Sequence, residues 1–168
     1  MFSLRRSLTA EHGDEEPASL IGAYLFNGIL ERQARREVYF GQALARITSP
    51  DSQEWTLLPA VTGTLARGYF RSDLDDQALR AFADFAMPHL PPQFDIHATA
   101  VQDCVRAALA GSTQQPPGVS LREFISINAL VAILIVRRRK LTARAILKVI
   151  GEAEEDLARR GVKLTQVR

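Results

Sequence analysis

The chain has 168 residues, 46% hydrophobic and 24% charged, which suits one globular domain and excludes wholesale disorder. Its single cysteine, Cys104, excludes an intrachain disulfide and fits a reducing, cytoplasmic setting. Net charge is +2, but residues 121–168 carry 11 Lys or Arg against 5 Asp or Glu, while residues 1–120 carry 10 against 14.

Residues 1–16 are polar and read as a loose segment without the apolar run of a signal peptide. Pro17 fits the first turn of a helix, with Asp14, Glu15 and Glu16 favouring its positive end. From Ala18 to Ile47 the pattern is helical, with apolar residues at Leu20, Ile21, Tyr24, Leu25 and Ile29, then at Phe40, Leu44 and Ile47. A polar patch from Glu31 to Glu37 predicts one long bent helix, or two joined near Arg36. A turn at Thr48–Ser52 precedes a short helix expected after Pro59, running through Leu65 to Phe70; Gly63 and Gly68 weaken it.

Ser72 is read as the N-cap of the next helix, with Asp73, Asp75 and Asp76 in its first turn. Leu74, Ala78, Phe82, Phe85 and Ala86 form its apolar face, and Pro88, Pro91 and Pro92 end it. Asp95 is read as the cap of a helix to Ala110, stopped by Gly111. A loop over 111–119 follows.

Ser120 and Glu123 make a capping box ahead of the run Phe124–Val136. That run has 13 residues, against the roughly 20 of a membrane span, so a buried central helix is expected and a membrane-spanning one is not. After Arg137–Leu141 a break is expected, with Thr142 capping a last helix to about Arg160 and Gly161 closing it. The prediction is an all-α, single-domain bundle of five to seven helices around a buried helix near 121–136. Its domain spans 17–168 and ends in a helical hairpin over 120–161.

The strongest functional signal is basic. Arg137, Arg138, Arg139, Lys140, Arg144 and Lys148 place six positive charges within 137–148, with no acidic residue among them. Such a run contacts a polyanion or an acidic protein surface, or it is a solvated turn that favours the negative end of the preceding helix. A helix-turn-helix reading of 130–161 is weakened by Glu152, Glu154, Glu155 and Asp156, which would face phosphate badly. Arg32, Arg35 and Arg36, flanked by Glu31 and Glu37, read as a solvated helix face.

His89, Asp95 and His97 match no standard zinc spacing, and Cys104 falls on an apolar helix face rather than in an electropositive opening. Asn128, inside the most apolar helix, needs a partner: a neighbouring helix or a second copy. No cofactor or metal is expected. The first functional expectation is a non-enzymatic interaction or assembly module, an adaptor or complex subunit whose partner is another protein or a second copy of the chain. The alternative is a nucleic-acid-associated protein using 137–148. The third is an enzyme whose site forms only in the fold.

Overall fold

The computed structural model describes residues 15–49, 51–70 and 75–167. The expectations for residues 1–14, Ser72, Asp73 and Leu74 lie outside them. The described residues form seven α-helices: α1 Leu20–Ile29, α2 Gln33–Arg46, α3 Leu57–Tyr69, α4 Asp76–Ala86, α5 Ala98–Leu109, α6 Leu121–Arg139 and α7 Ala143–Arg159. They pack as one all-α domain, with short 3-10 turns at Gln53–Thr56 and Met87–His89.

The chain enters α1 later than Pro17 suggests. Ser19 is the N-cap, and its hydroxyl accepts from Gly22 N at 3.0 Å. Glu16 does not serve the helix end. It reaches across to Arg35 at 3.0 Å and accepts from the Tyr39 hydroxyl, so the last residue of the expected loose segment is tied to the second helix. All ten residues of α1 are buried, which makes it as central as α6.

The break between α1 and α2 falls at Leu30–Arg32, earlier than the expected join near Arg36. Its cause is local. Glu31 adopts the left-handed conformation, φ 58°, and that ends a right-handed helix. Beyond it α2 lies mainly on α1, with Phe40 against Tyr24 at 5.1 Å between ring centroids. Only Ala43 of α2 is buried. Val38 and Leu44 are 56% and 40% exposed, so Leu44 is not the core residue its spacing implied.

α3 begins two residues before Pro59. Proline is tolerated there because a first-turn N–H has no helical acceptor. Its glycines weaken the helix in isolation, yet Gly63 is what allows it to pack. A Cβ at that position would overlap the Ala108 carbonyl oxygen of α5. α3 also touches α1, α6 and α7. Where it crosses α6, the Thr62 hydroxyl donates to the Asn128 carbonyl at 3.2 Å. The Asn128 side chain turns back on its own helix and donates to Phe124 O at 2.9 Å. Its neighbour therefore grips its backbone rather than its amide.

Asp75 caps α4, accepting from Ala78 N at 2.7 Å. α5 starts after His97, which makes no side-chain cap bond. Asp95 is exposed two residues earlier and is not the cap. α6 opens on the expected capping box and α7 on Thr142, whose hydroxyl accepts from Ala145 N at 3.2 Å. Among the described residues no helix is long and apolar enough to cross a membrane. After α7 the chain returns to the start of α1, where Leu20 N donates to Thr165 O and Val167 N to Ala18 O, both at 2.9 Å.

Four helices end alike. In each, the left-handed residue that closes the helix donates to the carbonyl three positions back, and its successor donates to the carbonyl five positions back. The pairs are Glu31/Arg32, Gly111/Ser112, Lys140/Leu141 and Gly161/Val162. Each first member is left-handed, with φ 58°, 77°, 53° and 85°. Glycine takes that conformation without a Cβ clash. Glu31 and Lys140 take it at a cost of about 1 kcal/mol each. Lys140→Gly should therefore stabilise the fold by about 1 kcal/mol, and Gly161→Lys destabilise it by a similar amount. Denaturant midpoints at constant slope check both; equal midpoints for Lys140→Gly and the parent would show no strain at that turn.

Candidate partner-docking cleft

The basic segment lies where α6 leaves the core. The helix is buried through Val136 and exposed from Arg137 onward. Its carbonyl end carries partial negative charge, so arginines in the last turn are favoured. The structure then treats the six predicted cations differently. Arg137 Nη2 donates to Glu31 Oε1 at 2.5 Å. Arg138 donates to the Tyr69 hydroxyl at 2.6 Å, and its guanidinium sits 3.8 Å over the Phe85 ring. That fastens α6 to α3 and α4. The Arg139 guanidinium fills the space a side chain at Gly68 would need. Lys148 pairs with Glu152 at 3.8 Å, one turn along α7. Lys140 and Arg144 are exposed, with no ion pair or hydrogen bond from their side chains among the described residues.

Arg137 and Lys140 line a cleft of about 410 Å³ between the α1–α2 turn and the α6–α7 turn. Its apolar lining is Ile29, Leu30, Val136, Leu141, Ala143 and Ile146. Ile29, Val136, Ala143 and Ile146 are buried, and Leu30 and Leu141 half-buried. Its polar lining is Glu31, Arg32, Arg137 and Lys140, three cations against one carboxylate. The two charged left-handed residues among the described residues, Glu31 and Lys140, are both here. α7 starts at this cleft with Ala143, and Arg144 follows at once.

Glu31 and Arg32 escaped the sequence reading. Balanced charge at 31–37 reads as a solvated helix face, but these two residues form the turn that ends α1. Arg32 leans toward the Phe26 ring, 5.9 Å from its centroid, and Arg36 toward Tyr24 at 5.5 Å. Arg35 pairs with Glu16. The signal was available only in part, since the other two helices of this ending close on glycine and these do not.

The remaining candidates separate. His89 lies against the Phe85 ring at 5.6 Å between centroids, tilted by 60°. Among the described residues no three His, Cys, Asp or Glu are gathered as a metal site. Asp76 pairs with Arg106 at 3.2 Å. A larger cleft of about 500 Å³ lies beside Trp55, but its Arg160 is already held by Asp156 at 2.7 Å. Compared with protein-family models, with curated proteins and with solved structures, the chain matches none.

Cys104 is 2% exposed. Burial, and then the nearby Asp103 and Glu123 carboxylates, push its thiol up from 9.0 to about 12. The folded state thus keeps a proton that the unfolded chain releases. The stabilisation is fully present below 9.0 and is lost as pH rises toward about 12. The parent should therefore lose more stability across that window than Cys104→Ala does. Parallel pH-dependent denaturation curves for the two proteins would exclude the effect.

Proposed function

We propose that this protein is a non-enzymatic docking module, a cytoplasmic adaptor or complex subunit, whose cleft between the α1–α2 and α6–α7 turns takes an acidic segment of a partner protein. One observation carries the reading: Arg32, Arg137 and Lys140 edge an apolar floor. An apolar side chain of the partner would bury against Leu30, Leu141 and Ile146, at about 25 cal/mol for each Å² removed from water. Acidic neighbours would face the cations. Cationic edges over low-dielectric walls focus field and speed the encounter with an acidic partner.

The same features favour protein over nucleic acid. Arg138 is fastened to the Tyr69 hydroxyl and the Phe85 ring, and Lys148 pairs with Glu152 one turn along α7, which shortens the row of cations open to a run of phosphates. No aromatic side chain lines the cleft to stack on a base. Glu152 and Glu155 lie exposed along α7, where a groove-reading helix would meet phosphate.

The test is fluorescence anisotropy with a labelled peptide of repeating Leu-Glu-Asp-Leu, beside the same peptide with Gln and Asn for the acids and a labelled DNA duplex. The acidic peptide should bind, and salt should weaken it. Lys140→Gly and Arg144→Ala should each weaken it by about two- to fivefold, the range of one exposed charge pair. Lys140→Gly is the sharper variant, because it is expected to be more stable than the parent. Duplex binding stronger than peptide binding, with a steep salt slope, would move the function to nucleic acid.

A further inference from the structure

The chain already holds a carboxylate in the cleft. Glu31 reaches Arg137 at 2.5 Å, and the pair is exposed, at 63% and 49% of the two side chains. It links residues 106 positions apart in sequence, and so joins the two turns that face each other across the cleft. The Glu31 backbone is left-handed at φ 58°, although glycine would end α1 there without strain. Neither helix-end chemistry nor propensity asks for glutamate at this position. The α1 terminus it follows carries partial negative charge, which disfavours an acid.

Resting on the docking reading, we infer that Glu31 is a built-in stand-in for the ligand: the partner's carboxylate takes the Arg137 guanidinium by displacing Glu31. Three features make the exchange feasible. An exposed ion pair is worth about 1 kcal/mol or less, so displacement costs little. Arg137 offers a planar fork that a carboxylate can meet with two parallel hydrogen bonds. Lys140 and Arg32 line the same cleft and hold the incoming acid after Glu31 has swung away. The partner chemistry this selects is an apolar side chain beside an Asp or Glu. A neutral apolar peptide gains the floor but cannot take Arg137 from Glu31.

The experiment measures the affinity of the repeating Leu-Glu-Asp-Leu peptide for the parent, Glu31→Gln, Arg137→Ala and the double variant. Glu31→Gln should bind about threefold more tightly than the parent, the scale of one exposed charge pair released. In the Arg137→Ala background the same substitution should change affinity little. The Gln/Asn peptide should show no tightening. Equal affinities for parent and Glu31→Gln, with binding present, would overturn the stand-in role and leave the docking reading intact. Equal tightening with and without Arg137 would also overturn it, since the effect would then be general charge. Binding by neither protein would overturn the docking reading and this inference together. Unchanged thermal unfolding of Glu31→Gln, measured beside the affinities, keeps altered folding out of the comparison.

Discussion

A helix that is apolar on all sides must be covered on all sides, and α6 sets that constraint here. From Ile127 to Val136 it is buried at nearly every position. α1, α3, α4 and α5 each pack against it. The cover stops at one residue. Val136 is 5% exposed, and Arg137 stands in water. Three arginines then answer the carbonyl end of the helix, and Lys140 turns the chain. The site therefore lies beside the bundle's edge because the core ends there, and α1 ends at the same place.

Helix termination sets where the rim of the cleft lies. Two helices stop on glycine and two on charged residues held left-handed. The charged endings face one another across the cleft, and the glycine endings lie elsewhere. Strained conformations of about 1 kcal/mol persist where the surroundings hold them, and such positions gather at functional surfaces. In this fold the strain places one cation and one carboxylate at the rim of an apolar floor. Stability given up at Lys140 is the kind of loss that binding surfaces often carry.

The C-terminal pair of helices was the most legible part of the sequence, although α7 packs mainly on α3 and α1 rather than along α6 as a hairpin would. Its capping box, its apolar run and Thr142 are local signals, and they fixed boundaries to within a residue or so. α3 was hard to read because Gly63 is unfavourable alone and makes sense only against the Ala108 carbonyl. Leu44 misled because spacing shows which face is apolar, not whether anything covers it. The return of Thr165 and Val167 to the start of α1 has no local signature at all. The basic half of the site was plain in the sequence. Glu31, and Ile29 and Leu30 on the far side of its apolar floor, were not, because they come from a turn more than a hundred positions away in the chain.

The proposed seat of an acidic partner segment lies between the α1–α2 and α6–α7 turns. Amide chemical-shift mapping of isotope-labelled protein, titrated with the acidic leucine-containing peptide, tests it most directly. Shifts should concentrate at 29–32 and 136–146 and saturate together, with the cleft beside Trp55 silent. Shifts spread along the exposed faces of α2 and α7, or gathered around Trp55 while 29–32 stays still, would contradict it.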